Sequence, residues 1–148
     1  MKLKDRIVWV RENNYKTQKE VAELLGIAQS TYAEYENGKI TPPLKRLCAL
    51  ACYFNVSLDY LLGLSKNKEP YGSMKSFDEK ILSKNLTTLR KKYNYTQQNI
   101  AEKLSYSFKS ISMYETNSMN MPIDTLIKFC KLYNISSDHL TGIVQIRL

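Results

Sequence analysis

A single histidine, His139, and three cysteines leave little from which to build a metal centre or a disulfide framework in this 148-residue chain. Cys48 and Cys52 stand one helical turn apart and Cys130 is distant, an odd set that fits neither a secreted scaffold nor a zinc site. The default reading makes them small buried side chains and His139 a packing residue. No apolar run approaches the roughly 20 residues that a membrane span needs. The opening "MKLKDRIVWVREN" turns charged again too soon for a secretory signal, so a cytoplasmic protein is expected. Glycine-rich phosphate loops and the HExxH and GxSxG patterns are missing, and neither enzyme chemistry nor a metal or cofactor is expected. Acidic residues are also in short supply. Against 14 Asp and Glu stand 22 Lys and Arg, a formal charge of +8, which favours a polyanionic partner, nucleic acid ahead of an anionic membrane.

What the chain does have is a repeat. Slid against itself by 79 residues, it places Thr17-Gln18 on Thr96-Gln97, Ala22-Glu23 on Ala101-Glu102 and Tyr35-Glu36 on Tyr114-Glu115. Pro43, Asn55, Asp59 and Gly63 then meet Pro122, Asn134, Asp138 and Gly142 with no slip of register. An ungapped duplication of one small domain follows. The expected boundaries are a first domain at 1–64, a linker at 65–77, a second domain at 78–142 and a tail at 143–148. The linker "SKNKEPYGSMKSF" holds Pro70 and Gly72 and little apolar periodicity. In the tail, Val144, Ile146 and Leu148 alternate with Gln145 and Arg147, as an edge strand or a docking arm would.

Within the first copy the apolar residues recur at helical spacing: Leu3, Ile7 and Val10, then Val21, Leu24 and Leu25, then Leu44, Leu47, Leu50, Ala51 and Phe54. Thr17 with Glu20 makes a capping box, and Gly26 after Leu25 supplies a left-handed helix end. A new helix is then expected from about Gln29 to Glu36, ending at Asn37-Gly38. Thr41-Pro42-Pro43 is expected to cap and open a fourth helix, and Ser57 with Asp59 a short fifth. The second copy repeats this plan with Ser105 for Gly26 and Asn117 for Gly38. The fold class expected is all-α, two tandem five-helix domains.

Two short helices joined by about three residues that include a glycine describe a helix-turn-helix, whose second helix enters the DNA major groove. Gln29, Ser30 and Thr31 suit that position. A glutamine bonds adenine bidentately, hydroxyls donate or accept, and a threonine methyl touches thymine, whereas lysines there add affinity without discrimination.

The stretch "TQKEVAELLGIAQSTYAEYENGKITPPLKRLCALACYFNVSLDYLLG" resembles the Cro/repressor family of helix-turn-helix domains, also called the xenobiotic-response-element family, over nearly all of copy one. Copy two resembles it more weakly. It departs where YENG becomes Tyr114-Glu115-Thr116-Asn117 and where the turn glycine becomes Ser105. The resemblance implies a lambda-repressor-like fold in which Gln18 and Gln97 bond phosphates. Gln29, Ser30 and Thr31, with Phe108, Lys109 and Ser110, would face bases, and Asn37 and Lys39 would hold the backbone. It also implies internal ion pairs, Arg11 with Glu36 and Arg90 with Glu115. The function expected is a sequence-specific regulator of transcription on double-stranded DNA, a repressor of bacterial or phage type. A protein-interaction module, antitoxin-like or dimerising, in which copy two does not bind DNA, stays open. So does an RNA-binding or coactivator-bridging role, although the deep, narrow major groove of duplex RNA excludes a recognition helix. Val8 and Trp9, replaced by Thr87 and Thr88 in copy two, form an apolar patch on one copy only. That patch, or the second domain, is the expected surface of a homodimer.

Overall fold

The computed structural model describes residues 1–146. It divides into two compact units, Met1–Ser76 and Phe77–Leu148. The first carries α1 (Leu3–Asn13), α2 (Gln18–Leu25), α3 (Gln29–Glu36), α4 (Leu44–Phe54) and α5 (Leu58–Leu61). The second carries α6 (Glu79–Lys92), α7 (Gln97–Leu104), α8 (Phe108–Glu115), α9 (Ile123–Tyr133) and α10 (Ser137–Thr141). The bounds of α2, α3 and α4 shifted by the repeat offset reproduce those of α7, α8 and α9. All ten regular elements among the described residues are helices, and none is long and apolar enough to cross a membrane.

Each unit is built round the same buried positions. Ile7, Val10, Val21, Ala22, Tyr35, Leu47 and Leu61 are buried in the first. Their repeat equivalents Leu86, Leu89, Ile100, Ala101, Tyr114, Leu126 and Leu140 are buried in the second. Local chemistry fixes the helix ends. Thr17 Oγ1 accepts from the Glu20 N–H at 3.1 Å while Glu20 accepts from the Thr17 N–H at 3.2 Å, which satisfies donors the helix itself leaves open. In copy two Asn99 takes the place of the glutamate, at 2.9 and 3.0 Å. The fourth helix differs from expectation: its N-cap is Pro43, whose side chain makes no capping bond, and Thr41 lies outside it.

The turn after α2 needs a left-handed residue, and Gly26 supplies it at φ 68°. Ser105 adopts the same conformation at φ 60° after α7. A residue with a Cβ pays for that conformation by roughly 1–2 kcal/mol, part of which glycine gives back in unfolded-state entropy. Ser105→Gly is therefore expected to raise the stability of the second unit by about 0.5–1 kcal/mol, read by thermal melting.

The segment expected to be a linker folds onto the first unit. The Ser57 N–H donates to Lys68 O at 2.9 Å and Ser57 Oγ to Asn67 O at 3.0 Å. Tyr71 Oη donates to Asp59 at 2.9 Å, and Cys52 Sγ to Lys75 O at 3.3 Å. The Lys68 ammonium stands 3.9 Å from the Trp9 ring centroid, and that ring meets Tyr60 edge-on at 6.2 Å. Val8 and Trp9 are thus both half-buried, and the Trp9 ring is covered by Tyr60 and by Lys68 of the chain's own continuation. In the tail, Val144 is buried, Gln145 exposed and Ile146 half-buried, as the alternation expects over these three residues, and the Val144 N–H donates to Asp138 O at 3.1 Å. Arg147 and Leu148 lie outside the described residues.

Candidate nucleic-acid interface

Helices α2 and α3 meet through the turn at Gly26, and α1 fixes their angle with one ion pair. Arg11 Nε lies 2.5 Å from Glu36 Oε1 and Nη2 3.0 Å from Oε2, with side-chain exposures of 13 % and 6 %. Arg11 Nη1 also donates to Lys16 O at 2.9 Å. Burial by itself raises the Glu36 carboxyl, but hydrogen bonds from Arg11 and Gln18 outweigh it and hold the group below its ordinary range. The Arg11 guanidinium is raised in turn, first by its hydrogen bond to Glu36. Copy two builds the same joint: Arg90 donates to Glu115 at 2.8 and 3.0 Å and to Tyr95 O at 3.0 Å. There Thr87, standing where copy one has Val8, adds a bond to Glu115 at 3.0 Å.

Gln18, read from the sequence as a phosphate contact, donates its side-chain amide to Glu36 at 2.9 Å, and Gln97 donates to Glu115 at 3.4 Å. One amide hydrogen of Gln18 is thereby spent on positioning and one is left, at the first turn of α2 where backbone N–H groups are also open. The ion pair therefore orients the glutamine that opens α2 as well as locking α1 to α3.

At the start of α3, Gln29 and Ser30 are exposed and Thr31 is half-exposed. The cap residue, Ala28, has no side chain to close the helix, so three polar side chains and the first-turn N–H groups face outward from one place. No hydrogen bond to another described residue holds any of the three side chains. Just past the helix, Asn37 Oδ1 accepts from the Lys39 N–H at 2.8 Å, which shapes the loop, and the Lys39 ammonium is 72 % exposed with Glu34 3.6 Å away.

The second copy differs at each of these points. Ser107 caps α8 by accepting from the Ser110 N–H at 3.1 Å, and its hydroxyl also meets Ser110 Oγ at 2.9 Å, so Ser110 is engaged within the helix. Phe108 is 52 % exposed and Lys109 is exposed. After the helix Thr116 bonds Ser118 at 2.8 Å where copy one has Asn37 and Lys39, and Asn117 holds φ 57° in place of Gly38.

Three positioning residues are invisible to periodicity. Arg6, which the apolar spacing does not single out, is buried, and its Nη1 donates to the carbonyls of Tyr60 and Ser65. Its repeat equivalent Asn85 is buried too and donates to Leu140 O at 3.1 Å. Arg46 Nη1 donates to Leu25 O at 2.6 Å and closes the end of α2. The only sequence signal for the first two is that both copies put a polar residue within an apolar stripe. Cys48 and Cys130 are buried and Cys52 is partly so. The described residues hold no cluster of His, Cys, Asp or Glu that suits a metal ion. His139 Nδ1 meets Ser136 Oγ beside α10.

Comparison with known proteins agrees with this geometry. A helix-turn-helix family model matches residues 7–61, and a helix-turn-helix domain model matches residues 84–141. An HTH-type transcriptional regulator of Bacillus subtilis, YobD, is 38 % identical over 74 residues, 50 % of this chain and 66 % of that protein. ImmR, an HTH-type transcriptional regulator of the same organism, is 43 % identical over 61 residues, 41 % and 48 % of the two chains. The cryptic phage CTXphi transcriptional repressor RstR of Vibrio cholerae is 35 % identical over 63 residues, 43 % and 56 %. The chain thus spans about half to two thirds of the length of the curated relatives it matches. No solved structure gives a significant match.

Proposed function

Given that the chain belongs to the helix-turn-helix family of the Cro/repressor type and carries two copies in tandem, we propose that it is a sequence-specific regulator of transcription on double-stranded DNA, acting as a repressor. The observation that carries this reading is the start of α3, where Gln29, Ser30 and Thr31 stand uncommitted at an uncapped helix end held at a fixed angle by Arg11 and Glu36. Side chains that hydrogen-bond nothing in their own fold are available to base edges, and the ion pair fixes their approach. Gln18 and Lys39 flank them and suit phosphates, which position without specifying. Occupying an operator excludes polymerase without any chemistry by the protein itself. RstR is named a repressor, which favours that sense of regulation here.

Selection of binding sites from random duplex tests the reading, and a chain that enriches no sequence would overturn it. Within a selected site, Gln29→Ala is expected to cost about 1–3 kcal/mol and relax preference at one base position, whereas Lys39→Ala weakens all duplexes alike and lowers the salt slope by about one. Equal effects of the two changes on selected and random DNA would refute this division of labour.

A second reading is favoured for copy two alone by Phe108, Ser110 and Ser118. An exposed phenylalanine, an engaged serine and a neutral residue where copy one has Lys39 suit a protein-binding surface better than a base-reading one. Selection with Phe108→Ala separates the two: altered base preference supports DNA, unaltered preference supports a protein partner.

A further inference from the structure

An open groove of about 290 Å³ runs between the start of α1 and the loop that follows α3, lined by Lys2, Lys4, Asn37, Gly38, Ile40 and Thr41 among others. Its form depends on one close approach. A Cβ on Gly38 would stand 2.8 Å from Lys4 Cδ and 3.8 Å from Lys4 Nζ. Gly38 also holds φ 78°, so glycine is suited twice over, by backbone conformation and by the stem that crosses it. The lysine lays its methylenes over the loop and carries its ammonium to the groove, where no hydrogen bond or ion pair to another described residue holds it. Two acidic side chains of the flanking helices α1 and α3 have other partners. Asp5 accepts from the Lys2 N–H at 3.1 Å, and Glu34 lies 3.6 Å from the Lys39 ammonium.

We propose that this groove is a phosphodiester-binding site of the first unit, with Lys4 as its cation, receiving the DNA backbone beside the loop that Asn37 and Lys39 form. The proposal rests on the DNA-binding reading above and extends it to α1, which no part of that reading uses for contact. Comparison of the two copies singles out the same residues. At the equivalent positions the second unit has Ile81 for Lys2, Ser83 for Lys4 and Asn117 for Gly38. Ser83 Oγ turns inward to donate to Tyr114 O at 2.8 Å, and Ile81 packs on Gly142, where a Cβ would stand 2.4 Å from its Cγ2. The cation and the glycine it crosses are therefore lost together, and the second unit is left without the site. A phosphodiester is the fitting occupant because the groove is open and shallow, offers a cation with amide and hydroxyl donors, and borders the loop already assigned to phosphate.

The test is the salt dependence of binding by the full chain to a selected duplex and to random duplex. Lys4→Met keeps the stem and removes the charge. It is expected to lower the slope of log K against log salt by about 0.9 and the affinity roughly eightfold at 0.1 M salt, by one factor on both duplexes and with unchanged melting. Gly38→Asn keeps the charge but pushes the stem aside, and the same loss is expected. The double variant should lose no more than Lys4→Met alone, because both act on one contact. A wild-type slope in Lys4→Met beside the normal loss in Lys39→Ala would overturn the site and leave the DNA reading standing. Losses confined to the selected duplex would overturn the phosphate assignment in favour of a base contact. A wild-type chain that binds no duplex at low salt would bring down both.

Discussion

Replacing Glu36 by alanine is expected to destabilise the first unit by about 3 kcal/mol, the lower end of the range for breaking a buried ion pair. Three donors lose their acceptor at once: Arg11 Nε, Arg11 Nη2 and the Gln18 amide. The guanidinium is left mostly enclosed, with Lys16 O as its remaining hydrogen-bond partner in the fold. For a domain of this size the loss corresponds to a fall of more than about 10 °C in melting temperature. Trp9 is the only tryptophan and belongs to the first unit, so its fluorescence reports that unit apart from the second. Glu36→Gln, which keeps an acceptor but loses the charge, should fall between the variant and the wild type. The same pair sets an acid limit. Because the folded carboxyl is held below its ordinary value, its stabilisation is fully present above the unfolded pKa of about 4.3 and is lost as pH falls through the lower, folded value. Wild-type stability should drop across that window, and Glu36→Ala should be flatter there. A variant that melts like the wild type but prefers different bases would instead put Glu36 at the DNA.

The parts of this structure that the sequence displays are those written in short-range patterns. A capping box spans four residues, a left-handed turn one, and an apolar stripe repeats every three or four, so α2 could be bounded from Thr17 and Gly26 and the body of α4 placed from its leucines, though not its cap. The duplication did further work, since two copies agreeing on Arg11 and Glu36, or on Tyr35 and Tyr114, filter accident from requirement. What the sequence hides is partnership over distance. Nothing local marks Arg6 as buried, because Tyr60 and Ser65, whose carbonyls accept from it, lie more than fifty positions away. Gln18 reads as free for phosphate because nothing local says that Glu36 claims half of its amide. Ser65 to Phe77 reads as a tether because its composition is that of one, yet Trp9, Ser57 and Asp59 hold it through side-chain and backbone contacts that no periodicity encodes. Trp9 misleads for the same reason: an apolar residue on one copy signals a covering surface without saying that Lys68 and Tyr60 of the same chain meet its ring. Lys4 over Gly38 is a contact between a side chain and the absence of one, and it exists only once α1 and the loop after α3 are packed together.

The intact chain is expected to select an operator of two unlike halves, occupied by a single molecule. Dimeric helix-turn-helix proteins set two recognition helices on one face of the duplex, about 34 Å apart, and this chain carries two helix-turn-helix units in tandem. Residues 65 to 77 number 13, enough at roughly 3.3 Å each to reach about 43 Å when extended. Much of that length is held on the first unit through Lys68, Tyr71 and Lys75, so using the full reach requires releasing a cation–π contact and a few hydrogen bonds. Each is worth on the order of 1 kcal/mol, so releasing all of them would offset much of the roughly 3–5 kcal/mol that tethering returns, and only as much of the segment is freed as the spacing demands. A linked second domain meets its half-site at an effective concentration near millimolar, which strengthens binding by roughly 100- to 10,000-fold over the separate domains. Severing the chain after Ser76 should therefore lower affinity for the full operator by much of that factor while leaving each half-site's affinity in place. The halves must differ because Gln29, Ser30 and Thr31 present other chemistry than Phe108, Lys109 and the engaged Ser110. Lys68→Ala with Tyr71→Phe, which loosens the segment, should broaden the tolerated spacing between the halves. Footprinting on the selected site, with the mass of the complex measured by light scattering, decides the matter. A palindrome protected by two chains would show that copy one reads both halves through a homodimer, and would return copy two to the role of a protein-binding module.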